Sequence, residues 1–549
     1  MLALFRDAPV GQLIRSLFGA SACPYAEEKA GFSLPGQLKG IAANNLSDEE
    51  RTADVEVEAG GKAQPGGDTS CDTPSPSLSA SAAQVVSWYG AEDPDNPQNW
   101  STAKKSFVFS QLALLTFVVY LGSAIITPAQ PAFVELYEVS VQVSSLPLSV
   151  YILGYGVGPL LFSPLSEVPT IGRNAPYMVS FALYILITVG TCRVDNFAGL
   201  VILRFVQGFL GGPVLATGGA SVQDMLEFAK VPYGLTVWLC AAYGGPSLGP
   251  VLSGFAVAET WRWAMYELLI LSGFTFILLF LFLPETNPET ILIQRARRLR
   301  SRFQNHKMRS EVEIKQGNVH IWQVMATYLT TPFRVTLQDP SIAFINVYTS
   351  LIYAIYYSYF ESFPLVFMGI YKMSLGIMGV VFLAILVACA VGLVVYLLLL
   401  RLVYEPYTLK YGIGLPEHRL VPGVAAAATA PIGIFLFAWT SRPEIHWIVP
   451  VVGIVLFSTS QFFLFNVILI YLPTSYPRYA ASLFAANSFL RSVLAAASVH
   501  FSKAMFDNIG VGRGCSVLGG LTAGCFFGIL GLWKYGAKLR AKSKFAETY

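Results

Sequence analysis

The sequence predicts an all-α membrane protein: twelve transmembrane helices in two pseudo-symmetric six-helix bundles. Three observations carry this. Only 13% of the 549 residues are charged and 54% are hydrophobic, against about 25% charged in a soluble domain. The apolar residues fall in long blocks; Ser106–Pro128 runs 23 residues without a charge, and about 20 suffice to cross a bilayer. Lys and Arg gather in alternate loops, the bias that orients membrane chains.

Along the chain, residues 1–100 come first. They include "DEERTADVEVEAGGKAQPGGDTS", a composition too polar to bury a core, and a disordered cytosolic segment is expected. They lack a signal-peptide pattern. Met1–Gly19 reads either as a short interfacial helix or as a plain tail. Asn45 and Asn99 head glycosylation sequons that the charge bias places in the cytosol.

The twelve spans follow, at roughly 106–128, 143–163, 176–192, 197–220, 233–257, 263–283, 342–366, 374–400, 420–439, 446–472, 479–501 and 514–535. They are numbered spans 1 to 12 below. Six lie in 101–283 and six in 341–536, which suggests a repeated half. Between them, 284–340 is a cytosolic basic linker, and 537–549 is a cytosolic tail. The linker holds Arg295, Arg297, Arg298, Arg300 and Arg302, whereas loop 129–142 has neither Lys nor Arg. Both termini are therefore expected inside. The linker helix reads either as a phosphate or lipid-headgroup site or as a solvated tie. "SPLSEVPTIGR" after span 2 and "YEPYTLKYGIGLPEHR" after span 8 echo one another, each with acidic then basic residues at a helix end.

Several classes drop out. There is no GxxxxGK[ST] loop and no HExxH. The seven cysteines form no CxxC pair, so neither a metal site nor a disulfide framework is expected. An enzyme is not expected, nor a cofactor beyond a proton gradient. Nucleic acid is not an expected partner; a small-molecule substrate and membrane lipid are, and the protein is expected to be a monomer.

Polar residues inside the spans are the functional candidates, because each is costly there. "LRFVQGFLGG" in span 4 contains Arg204 and Gln207 one turn apart. Arg204 either snorkels to the interface or faces a cavity and pairs with a carboxylate. Span 7 places Tyr353, Tyr357 and Glu361 on one face at i, i+4 and i+8. Glu361 is a candidate counter-charge for Arg204 and a natural proton carrier, since a carboxyl group taken out of water holds its proton more readily. Arg491 in span 11 cannot snorkel and must face protein, beside Asn487 and Ser488. Gln461 and Asn466 add polar groups in span 10, as do Ser123 and Thr127 in span 1. In span 5, "AAYGGPSLGPVLSGF" sets Gly245-Pro246 and Gly249-Pro250 four residues apart. Each proline bends the helix and the glycines leave a bare groove, expected to seal against a second-half helix.

These motifs resemble the twelve-span drug:proton antiporters of fungi within the major facilitator superfamily, over about residues 93–536. "EDPDNPQNWSTAKK", "LRFVQG", "GGPSLGPVLSG", "LPETNPETIL", "YFESFPLVF" and "PEHRLVPG" carry the likeness. The resemblance implies proton coupling through Arg204 and Glu361. It implies a midplane cavity between spans 1, 4, 7 and 10, with Gln207, Tyr353, Tyr357, Gln461, Asn466 and Arg491 as lining candidates. It also implies a seal at Gly245, Pro246, Gly249 and Pro250. The loop after span 2 departs from the family pattern: Glu167 replaces an aspartate, two extra residues precede Gly172-Arg173, and Asn174 replaces a base. A Glu167–Arg173 latch is the expected remnant, and His500 is expected at the extracellular surface. The implied activity is export of a drug, toxin, secondary metabolite, organic acid or polyamine in exchange for protons. The expected site is the plasma membrane, with the vacuolar membrane as the other candidate. A proton-coupled importer or a facilitated uniporter of the same fold is the alternative. A transporter-like sensor is a more distant one.

Overall fold

The computed structural model describes residues 2–29, 31–32, 84–316, 329–330, 333–412, 414–476 and 480–543. Ten helices among these are long and apolar enough to cross a membrane. Pro340–Phe360 and Ala480–Ile509 are long helices packed among them and take the places of spans 7 and 11. Spans 1 to 6 are Thr102–Ala124, Leu146–Glu167, Asn174–Arg193, Phe197–Gly211 with Pro213–Met225, Val231–Ala256 and Arg262–Phe282. Spans 8, 9, 10 and 12 are Leu375–Val381 with Leu383–Leu399, Val421–Thr440, Ile448–Ser475 and Val511–Arg540.

Local chemistry sets these ends. The Ser101 hydroxyl accepts from Lys104 N at the start of span 1, and the Asn196 side chain accepts from Gly199 N at the start of span 4. Such caps satisfy otherwise orphaned N–H groups. Gly212-Pro213 divides span 4 where Pro213 removes a donor. The α-helix of span 7 ends at Phe360, and Pro364 opens a widened turn over Pro364–Ile370.

Across the two halves, span 2 packs on span 11 and span 5 on span 8. If span 8 repeats span 2 and span 11 repeats span 5, these contacts are two-fold mates. The loop echo has the same symmetry. In the first half, Glu285, just past span 6, accepts from the backbone N–H groups of Arg173 and Asn174 after span 2. In the second, Arg540, ending span 12, donates twice to Glu417 after span 8, both at 3.0 Å.

The expectation that residues 1–100 are disordered fails over two stretches; 33–83 lie outside the described residues. Leu2–Asp7 and Pro9–Phe18 are helical and pack against span 6. Leu13, Leu17 and Phe18 stay exposed, the pattern of an interfacial helix. Gln84–Val86 pairs in parallel with Met308–Ser310 of the linker. Nor is the linker helix (Pro288–Phe303) a free basic face. Arg295, 1% exposed, makes two bonds to Asp93 (2.6 and 3.0 Å) and one to Asp95 (2.7 Å). Arg298 pairs with Glu27 at 3.1 Å. The acidic partners lie in the segment that composition alone assigned to disorder. Burial alone would push the Asp93 carboxyl up, but the Arg295 guanidinium and two backbone N–H groups outweigh it and hold it below the usual value.

Candidate functional site

A cavity of about 60 Å³ lies between the halves, walled by spans 1, 4, 5, 7, 10 and 11. Tyr120, Leu239, Ala242, Phe465 and Arg491 are shared with an adjoining lobe of about 30 Å³ that adds Tyr353 and Tyr357. Tyr353 and Tyr357 thus stand where the i, i+4 spacing placed them, with their rings 4.9 Å apart and edge-to-face. Arg491 also enters the cavity, its guanidinium carbon 4.6 Å from the Tyr353 ring centroid.

On the side away from the linker, the cavity is roofed by tyrosines. The Tyr155 hydroxyl of span 2 lies 2.8 Å from that of Tyr353 and 3.1 Å from that of Tyr357. Further out, Ser145 meets His500 at 3.3 Å and Lys503 donates to Val141 O at 3.4 Å. His500 is therefore part of the closure between halves, not the free surface residue expected from sequence. On the linker side a vestibule of about 270 Å³ separates spans 4 and 5 from span 10. Across the halves, Thr236 of span 5, which follows vestibule-lining Leu235 and precedes cavity-lining Trp238, exchanges hydrogen bonds with Asn466 of span 10 at 3.0 and 3.2 Å.

That bridge corrects the placement of Asn466, which joins the halves and lines neither lobe of the cavity. Gln461, a turn before Phe465, is fully buried and lines neither lobe; among the described residues neither end of its amide is hydrogen-bonded. Gln207 is likewise buried away from the cavity: it accepts from Arg204 at 2.8 Å and donates to Thr188 at 2.7 Å.

Arg204 neither snorkels nor faces the cavity. Fully buried, it donates to Gly122 O (2.6 Å), Ser123 O (3.5 Å) and Pro147 O (3.3 Å), and lies 4.2 Å from the Tyr151 ring centroid. Gly122 and Ser123 close span 1, where a helix leaves its last carbonyls unpaired. Arg204 fills that need and ties spans 1, 2 and 4 together. Glu361 is not its counter-charge. That carboxylate ends span 7, and the charged group it feels is Lys503 of span 11.

The Glu167–Arg173 latch is also replaced. Arg173 bonds Asp224 at the end of span 4 at 2.9 Å and Ser166 at 3.3 Å. Glu167 contributes only its charge nearby. Gly172 adopts φ +78°, and a side chain there would run into Glu285 and Thr290. The extra residues before Gly172 thus swing Arg173 onto a different carboxylate. Sequence reading missed Asp224 as a partner; the single acidic residue of span 4, at its end, was the available signal.

In span 5, a Cβ on Gly245 would lie 2.5 Å from Leu121 N, and one on Gly249 2.9 Å from Ile125 N. Both glycines face span 1 of their own half, not the second half as expected. The neighbouring turn makes the crossing: the Pro250 carbonyl and Val251 Cα meet Gly379 of span 8, and Gly254 meets Leu375 O and Gly376. Pro246 lines the smaller lobe.

Comparison with known proteins agrees with this geometry. The sequence profile described as Major Facilitator Superfamily matches residues 112–499. The chain is 40% identical over 551 residues to the MFS-type transporter pyvG of Aspergillus violaceofuscus, covering all of both chains. It is 34% identical over 560 residues to the Cycloheximide resistance protein of Candida maltosa, again covering all of both. Among solved structures, the proton:xylose symporter XylE of E. coli superposes with a TM-score of 0.56 at 12% identity, over 79% of this chain and 96% of that one.

Proposed function

The chain belongs to the Major Facilitator Superfamily, and on that premise we propose that it exports a small organic molecule across the plasma membrane in exchange for protons. The observation that carries this reading is the aromatic cavity between the halves, roofed by Tyr155, Tyr353 and Tyr357, with a linker-side vestibule and a Thr236–Asn466 bridge across the halves. A site that opens to one side at a time is what rocking of two halves requires. The names of relatives, a cycloheximide resistance protein among them, support export as the direction.

With both termini and the linker cytosolic, the linker-side vestibule admits substrate and the tyrosine roof opens outward. Tyr353, Tyr357 and Arg491 contact substrate. Glu361 sits at the outer end of span 7, where it takes a proton from outside. Arg204 acts as a positioning residue that fixes span 1 against spans 2 and 4. The Arg173–Asp224 pair and the Glu285 cap brace the cytosolic end of the first half. The experiment is uptake of cycloheximide into inside-out proteoliposomes acidified inside. Accumulation that collapses with a protonophore is expected. Accumulation indifferent to the gradient would overturn the coupling, and none at all, with cycloheximide shown to bind, would overturn export.

A further inference from the structure

Arg491 is the one charged residue on the walls of the central cavity among the described residues. The titratable groups that bear on it include Tyr120, Tyr353, Tyr155, Tyr357 and Tyr243; none of the ion pairs of the described residues includes it. Its Nη2 reaches the Tyr120 hydroxyl at 3.4 Å, and among the described residues its Nε has no acceptor. Two rings hold the guanidinium instead, Tyr353 at 4.6 Å and Phe465 at 5.6 Å.

Arg204 is the internal control. It too is an arginine within a span, and it is satisfied: three backbone carbonyls and the Gln207 amide oxygen take its donors. That is how this protein builds a structural arginine. Arg491 has five donors and one long hydrogen bond. A charge left in a protein interior without an acidic partner is unfavourable, so an arginine kept this way has a use for its free donors. A planar guanidinium matches two coplanar acceptor oxygens of an anion. The rings flanking it offer faces for a flat apolar body.

We infer that the cavity recognises an organic anion with an aromatic or conjugated body, its acidic oxygens on Arg491 and its rings against Tyr353 and Phe465. This rests on the cavity being the substrate site of the exporter proposed above, and within that exporter's range it favours acidic compounds over neutral ones.

The test uses the purified full-length protein and three probes of one shape: 2-naphthalenesulfonate, permanently anionic; 2-naphthalenesulfonamide, neutral; and 2-naphthylmethylammonium, cationic. Calorimetric titration should show the sulfonate binding about ten-fold tighter than the sulfonamide, which corresponds to about 1.4 kcal/mol, with the ammonium weakest. Arg491→Gln should bring sulfonate and sulfonamide within about two-fold. Ala242→Asp places a carboxylate on a wall that Ala242 shares with Arg491, and should abolish the sulfonate preference while the guanidinium stays. Having the second variant keeps the test open if Arg491→Gln does not fold. Equal binding of sulfonate and sulfonamide by the wild type, or a preference that survives either variant, overturns the inference. Proton-driven cycloheximide transport without a sulfonate preference leaves export standing and removes only this inference. An Arg491-dependent preference without transport does the reverse.

Discussion

Gly379→Ala should open the far side of the protein, and Gly249→Ala should not. A Cβ on Gly379 would lie 3.0 Å from the Pro250 carbonyl carbon and 3.4 Å from Val251 Cα, and closer still to the Pro250 oxygen. Carbon atoms rest about 3.5–4.0 Å apart, so spans 5 and 8 must part by about 1 Å. Overpacking of this kind costs about 1–3 kcal/mol. The contact joins the two halves on the closed side, so the cost falls on the closed state alone. An energy of that size shifts a two-state ratio about 5- to 150-fold. A Cβ on Gly249 would crowd Ile125 N at 2.9 Å and Ala124 at 3.2 Å. Span 1 belongs to the same half, so every state bears that cost and their ratio stays put. Spin labels at Glu135 and Asp507, exposed residues of opposite halves, report the opening in a background freed of the seven native cysteines. Gly379→Ala should add a longer-distance population and a substrate-free proton leak in vesicles. Gly249→Ala should lower the melting temperature and leave the distances unchanged. Unchanged distances in Gly379→Ala, or equal lengthening in both variants, would refute the reasoning.

The other predictions concern single groups. Arg204→Ala strips the donor from buried acceptors at Gly122, Pro147 and Gln207, each worth about 1–3 kcal/mol when left unpaired; thermal melting and transport should fall together, and a wild-type melting temperature would refute the structural role. Glu361→Gln should abolish uphill export while the protein remains folded, and normal export across external pH 5 to 8 would rule out Glu361 as the proton carrier. Since Glu361 and Arg204 share no contact, their effects on the melting temperature should add in the double variant; a coupling measured between them would contradict the separation. Breaking the buried Asp93–Arg295 pair by Asp93→Asn should cost the linker-side module about 3–5 kcal/mol, read as faster proteolysis of the linker. The Asp93 carboxyl is held below its ordinary 3.8. Its contribution is therefore full above that pH and lost as pH falls below it, so acid should release the linker in the wild type and change little in Asp93→Asn.

What the sequence by itself determined is what depends on one segment at a time. Long uncharged runs can only be spans, because backbone polar groups in lipid must be satisfied within a helix. The i, i+4 spacing put Tyr353 and Tyr357 on one face, and both reach the cavity. Arg491, too deep to reach water, was bound to meet protein. Everything that needed two segments at once was left to the tertiary structure. Arg204 answers to carbonyls at the end of span 1, 81 and 82 positions away, and carbonyls have no sequence signature. Arg173 lies beside Asp224 because Gly172 turns the chain at positive φ, while spacing alone favoured Glu167. The folded linker-side module escaped composition because its acidic and basic halves are each polar alone. Only pairing across 202 positions, Asp93 with Arg295, removes their charge from water. The seal shifted by one residue, from Gly249 to Pro250, for the same reason. A helix places successive residues about 100° apart, so adjacent positions in span 5 face different neighbours, and only the packed bundle decides which neighbour each one meets.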